Sequence, residues 1–243
     1  MPEWQAPAVV LAARPYGEGD ALVTVLTEAE GLRRGLARGG GSRGQAALWQ
    51  PGNLVQARWI ARLADQLGAL SAELVHPGAA LAMDDPIALG VLSAACTVAE
   101  GAIPEQEAHP AVFAGLVQLI AGLSQGAGAL ADLVRWEAIL LTDLGYGMDL
   151  SCCAVTGGTA GLAYVSPRTG RAVSVGAAGV WTERLLRLPA FLVGDDEGGP
   201  ADWRDGLALT AHFLARDAFG HQHRPLPPAR LLLADQVARL CFV

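Results

Sequence analysis

The chain of 243 residues contains no lysine; all 17 of its basic residues are arginine. A phosphate-binding P-loop ends in Gly-Lys-Ser/Thr, so that class is excluded, and the GGGSRG run at 39–44 lacks GxGxxG spacing as well. With so much alanine and glycine, the missing lysine itself reflects codon supply more than chemistry. Cysteine is scarce, and Cys96, Cys152, Cys153 and Cys241 are not spaced as a disulfide framework. A structural zinc site takes four ligands, usually from two Cys-x2-Cys-like pairs. Here Thr156 stands where the partner of Cys153 would fall, and 157–180 holds neither Cys nor His, so no metal is expected. No apolar run approaches the ~20 residues of a bilayer span; the longest runs, such as Ala88–Ala99, fall well short. The opening MPEWQAPAVV has no basic residue and does not look like a secretory signal, so a cytoplasmic protein with no membrane partner is expected. No Gly-x-Ser-x-Gly, no His-Glu-x-x-His and no carboxylate pair in an apolar frame occurs. His212, His221 and His223 near Asp217 are the one grouping from which a metal cluster or an enzyme site could be imagined, and histidines alternating in a Pro-flanked loop commonly hold none. The expectation is no catalytic residue, no cofactor and no enzyme.

Acid is also missing from one stretch. Residues 31–62 carry Arg33, Arg34, Arg38, Arg43, Arg58 and Arg62 without a single Asp or Glu, in a chain of net charge −7. A cationic segment in an acidic protein points to a polyanion met on one face. These six arginines are the candidate nucleic-acid-binding residues, with Arg33, Arg34, Arg38 and Arg43 as main phosphate contacts and Arg58 and Arg62 extending the track. Residues 1–80 balance seven Arg against seven acids, so the whole deficit lies in 81–243. Trp49 and Trp59 are candidates for base stacking. Trp59 falls on the core side of its strand, leaving Trp49 as the better one.

A 52 % hydrophobic content suffices for a core. The segments 8–13, 21–27, 32–39, 54–63 and 68–74 read as short strands broken by glycine turns. In the fourth, Val55, Ala57, Trp59, Ala61 and Leu63 share one face, opposite Gln56, Arg58 and Arg62. Gly39–Gly41 reads as a flexible hairpin tip. Such a set before Gly78 fits a small closed barrel, of which the OB-fold is the commonest. Asp84-Asp85-Pro86 then starts a helix running to Pro104, His109-Pro110 starts a second, and 129–144 is a third stopped by Gly145. Residues 149–179 break the pattern and read as a β-hairpin insert around 162–166. Helical pattern returns at 181–188 and 203–219, and the last segment begins extended and ends in a short helix. The expectation is an α+β chain: an OB-fold nucleic-acid-binding domain over 1–78, an all-helical domain over 79–148 and 180–243, and a small β-hairpin insert without metal over 149–179.

The opening EWQAPAVVLAARPYGEGDALVTVLTEAEG, then LARGGGSRG and LWQPGNLVQARW, resemble the N-terminus of the bacterial RecO family of recombination mediators. The likeness continues in order through Leu140–Gly147, DLSCCAVTG at 149–157 and YVSPRTGRAVS at 164–174. It implies an N-terminal OB-fold, a helical domain, and an insert that binds zinc in some members; only Cys153 matches a ligand position here. It further implies a DNA repair protein that binds single- and double-stranded DNA, anneals complementary strands, and works with RecR to load the recombinase RecA onto strands coated by single-strand-binding protein. The acidic C-terminal tail of that protein is expected on the helical domain, where an apolar groove near an arginine such as Arg135 would suit it. A protein-interaction adaptor, its arginines meeting an acidic peptide, stays open beside this reading.

Overall fold

A computed structural model describes residues 2–63, 66–194 and 198–240. Cys241 therefore lies outside the described residues. The chain divides into two compact units, 1–126 and 127–243.

The first unit is built on five strands: β1 (Glu3–Tyr16), β2 (Asp20–Thr27), β3 (Gly31–Ala37), β4 (Leu54–Ile60) and β5 (Gly68–His76). They close into a barrel in the order β1-β2-β3-β5-β4, the expected OB-type arrangement. Closure depends on the length of β1. Its first half pairs with β4 (Glu3↔Ile60 to Val9↔Leu54) and its second with β2 (Ala8↔Thr27 to Tyr16↔Asp20), with a register shift between Val10 and Ala12. The expected strand at 8–13 thus extends in both directions. Alternation puts Ala8, Val10, Val23, Val25, Val55, Ala57, Trp59 and Leu70 inside. Leu63, expected on that same face, is exposed because β4 stops at Ile60.

The opposite face of the strands is not free either. Leu11, Leu26 and Leu32 are fully buried outside the barrel core. A short α1 (Gly78–Ala82) leads into α2 (Pro86–Ala102) and α3 (Pro110–Gly122); α2 lies against β1 and α3 against β2. The Asp85 carboxylate accepts from the Ile87 and Ala88 amides, so α2 starts where the Asp-Pro pair indicated. Gly31 has φ +67°, and a Cβ added there would lie 1.9 Å from the Glu107 carbonyl oxygen. Only glycine lets the α2–α3 connection come this close to β3.

Gly39–Gly41 is not a hairpin tip. β3 pairs with β2 and β5, so residues 38–53 form a crossover loop between unpaired strands. That loop is pinned to the β1–β2 turn, the Gly39 amide donating to Asp20 Oδ1 (2.8 Å) and the Gly41 amide to the Gly19 carbonyl (3.0 Å).

The second unit contains α4 (Ala129–Asp143), the strands β6 (Leu162–Val165) and β7 (Ala172–Ser174), a short α5 (Val175–Ala178), β8 (Leu186–Arg187), α6 (Pro200–Phe213) and α7 (Pro228–Leu240). The insert is a three-stranded sheet, β7-β6-β8, rather than a hairpin alone. Its third strand falls in 181–188, a stretch expected to be helical. There the chain makes a 3-10 turn over Gly179–Arg184 and then pairs Leu186 and Arg187 with β6. α6 continues through a π-helical turn, Leu214–Ala218. The final helix is longer than its sequence suggested, because Arg230 anchors it. The Arg230 guanidinium, fully buried, donates to both carboxylate oxygens of Glu137 (2.6 and 3.0 Å) and to the Leu207 carbonyl (2.8 Å). Thr210 donates to the same carboxylate.

Candidate nucleic-acid interface

The six arginines fall into two groups. Arg33 and Arg34 are consecutive on β3 and point to opposite faces. Arg33 has the parity of Gly35 and Ala37 and turns toward the barrel mouth, where its guanidinium lies 5.4 Å from the Trp59 ring. It is bound to Glu30 through the carboxylate (3.0 Å) and the carbonyl (3.2 Å). Arg34 points outward to Glu105, 2.7 Å away. Arg58, on the outer face of β4, meets Glu3 at 2.6 Å. The window that lacks acids in sequence is therefore supplied with them in space, from three segments outside it. Arg38, Arg43 and Arg62 are exposed and make no ion pair among the described residues. Arg38 and Arg43 stand on the crossover loop, and Arg62 just past β4.

Neither tryptophan is available for stacking. Trp49 is 3 % exposed and belongs to the barrel core, which corrects the expectation for it. Trp59, 2 % exposed, donates Nε1–H to the Arg34 carbonyl (3.0 Å) and stacks on Trp4. Gly35 and Gly68 make room for it; a Cβ at Gly68 would sit 2.2 Å from its ring. In the first unit Tyr16, at the β1–β2 turn, is an exposed aromatic. Tyr16 pairs with Asp20, whose carboxylate holds Gly39, so Tyr16 and Arg38 share one end of the barrel. The signal for Tyr16 was in the sequence: it immediately precedes the GEGD turn. Between β3 and residues 66–67 a cleft of about 190 Å³ is lined by Arg33, Arg34, Trp59, Leu67 and Glu105.

In the second unit the histidines do not converge. His212 Nε2 is 3.0 Å from the Pro167 carbonyl, His221 stacks on Tyr146, and Asp217 is held bidentate by Arg216. Among the described residues no three His, Cys, Asp or Glu come together as metal ligands. Arg135 binds Asp132 (3.0 Å) and the Phe191 carbonyl and lies over the Phe191 ring.

Zinc, which the insert's resemblance raised, does not fit the residues present. The turn keeps a knuckle shape, with Cys153 N–H donating to the Gly158 carbonyl and Gly157 N–H to the Cys153 carbonyl (2.8 Å each). The donors around Cys153 Sγ, however, are hydroxyls and amides. The Ser174 hydroxyl and the Thr156 hydroxyl, with their backbone amides, pull this thiol from 9.0 down to about 6, against the opposing effect of burial. The Ser174 hydroxyl and amide lie 3.4 and 3.3 Å from the sulfur. Cys153 packs with Tyr164, Val173 and Ala178, which together form the insert's own small core. Cys96, by contrast, is pushed up to about 12 by burial and the nearby Glu100 charge, and is inert.

Residues 1–77 match the family model described as recombination protein O N terminal, and 83–225 match recombination protein O C terminal. The chain is 62 % identical over 241 residues to the DNA repair protein RecO of Granulibacter bethesdensis, covering 98 % of this chain and 96 % of that one. It is 62 % identical over 244 residues to the DNA repair protein RecO of Gluconacetobacter diazotrophicus, with the same coverage, and 57 % identical to that of Acidiphilium cryptum over 241 residues. With both halves matched in order over nearly the full length, the chain belongs to the RecO family of DNA repair proteins.

Proposed function

We propose that this chain is a non-enzymatic recombination mediator that binds single- and double-stranded DNA through its barrel. It promotes annealing of complementary strands and, with RecR, helps load RecA onto strands coated by single-strand-binding protein, whose acidic tail it receives. The work is cytoplasmic and nucleoid-associated during repair. In this reading 1–78 is the DNA-binding domain, 79–148 and 180–243 form the helical domain, and 149–179 is the metal-free insert. Arg33, Arg34, Arg38, Arg43, Arg58 and Arg62 contact phosphates.

One observation carries the proposal furthest: Arg38 and Arg43 project without carboxylate partners among the described residues from a loop pinned beside the exposed Tyr16. Uncompensated cations beside an exposed ring are what a single strand needs, phosphate contact with one base stacked. The outer faces of β1 and β2 are covered by α2 and α3, which leaves the loops, the barrel mouth and the outer side of β3 and β4 at Arg34 and Arg58 as the routes of access. Replacing Tyr16 by Ala should weaken single-strand binding about fivefold or more, from the ~1–3 kcal/mol a stacked base contributes, while leaving the salt slope unchanged. An unchanged affinity would remove Tyr16 from the site.

The adaptor reading has its own support, since Arg33, Arg34 and Arg58 already hold carboxylates as an acidic peptide would present them. Titrating the full chain with a naked oligonucleotide and with an acidic peptide of equal charge separates the two. Tighter peptide binding favours the adaptor.

A further inference from the structure

The ion pair between Arg34 and Glu105 differs from an ordinary surface pair in how its acid is held. Glu105 lies on the α2–α3 connection, 103–109, and that connection is fixed to β3 through its main chain. Leu32 and Glu105 form a parallel β-bridge, and the Gln106 amide donates to the Leu32 carbonyl (3.0 Å). Gln106 takes a left-handed conformation, φ +64°, unusual for a residue with a side chain. Gly31 gives up its side chain so that the Glu107 carbonyl can pass. Three features of the backbone, the bridge, the Gln106 conformation and the bare Gly31, thus deliver one carboxylate to one guanidinium. The two side chains are themselves about 40 % exposed, so the pair can open without moving the strap.

Resting on the DNA reading above, we propose that the 103–109 strap makes Glu105 a built-in competitor for phosphate at Arg34, so that a strand is taken up there by exchange of one anion for another. A carboxylate at 2.7 Å occupies the guanidinium edge that a phosphate oxygen would use. The strand must displace it, and the freed carboxylate then repels the neighbouring phosphates. Glu105 therefore lowers affinity for sparse anions and leaves a net gain only for a ligand whose other phosphates are already held by Arg38 and Arg43. Glu105 is an affinity-setting residue of the interface that does not itself touch DNA.

The test is a salt titration of a fluorescent single-stranded oligonucleotide against the full chain and four variants: Glu105→Gln, Glu107→Gln, Arg34→Ala, and Glu105→Gln combined with Arg34→Ala. Glu105→Gln should raise affinity about two- to fivefold at low salt, the range an exposed ion pair is worth. It should also steepen the log–log salt slope toward one further phosphate neutralised, about 0.7 for a single strand. Glu107→Gln removes the same charge two residues away and should do much less. In the Arg34→Ala background Glu105→Gln should have no effect. Equal gains in both single glutamine variants would reduce Glu105 to bulk charge and overturn the proposal, as would a Glu105→Gln protein that binds like the parent. A parent chain with no salt-dependent binding would instead sink the DNA reading itself. Thermal unfolding should be unchanged in Glu105→Gln, because the bridge and the Gln106 hydrogen bond are main-chain interactions.

Discussion

Replacing Arg230 by Met should be among the most destabilising single changes in the second unit. The side chain is fully buried, and so is the Glu137 carboxylate it holds in a bidentate grip. The same guanidinium donates to the Leu207 carbonyl and to Thr210 (3.2 Å), so it joins α4, α6 and α7 at one point. Met fills most of the volume but leaves Glu137 buried without a cation. Breaking one side of a buried pair costs about 3–5 kcal/mol. Replacing both partners by apolar residues, Arg230→Met with Glu137→Leu, should recover most of that stability, because neither charge then needs solvation. Urea unfolding followed by circular dichroism measures the cost, and hydrogen exchange resolved to α4 and α7 locates it. A destabilisation below about 1 kcal/mol for the single variant would refute the reasoning. So would a double variant no more stable than Arg230→Met.

Ser174→Ala should move the Cys153 thiol back up from about 6 toward its ordinary 9.0, read as thiolate absorbance against pH. Since the folded value is depressed, ionised Cys153 contributes stability that is full above 9.0 and lost as pH falls through about 6; the variant should flatten that dependence, and a parent whose unfolding midpoint is constant across this window would contradict the assignment. Gly31→Ala should destabilise the first unit by more than the ~1–2 kcal/mol of a left-handed alanine, because its Cβ meets the Glu107 carbonyl at 1.9 Å. An unfolding midpoint within error of the parent would show that the strap yields freely.

The barrel was legible in sequence because its signals are local. Alternation in 54–60, the turns at 17–19 and before Gly31, and the Asp-Pro helix start each act within a few residues, and each matched; Gly39–Gly41 did not, because the partner of β3 lies beyond β4. The errors came where position depends on partners far along the chain. Arginines 33, 34 and 58 read as free cations because Glu30, Glu105 and Glu3 all lie outside the window, and pairing across the barrel brings them in. Trp49 read as a surface ring because it neighbours a turn, yet the crossover loop folds it into the barrel core. β8 was invisible for a similar reason: two residues acquire strand geometry only by pairing with β6. Arg230 gave no sign of its place, since an arginine in an amphipathic segment normally faces water. The insert's own core around Tyr164 and the hydroxyls closing on Cys153 were not legible, because Cys153 meets Val173 and Ser174 only after the chain turns back, Ser174 lying 21 residues away.

The central claim is that the barrel's arginines hold a nucleic-acid strand. Its most direct test is the salt dependence of oligonucleotide affinity for the full chain and for a variant with Arg33, Arg34, Arg38 and Arg43 all replaced by Ala. The parent should show log affinity falling linearly with log salt. The variant should bind far more weakly, with a slope smaller by about 0.7 for each phosphate of a single strand that is no longer neutralised. A variant that keeps the parent's affinity and slope would contradict the account.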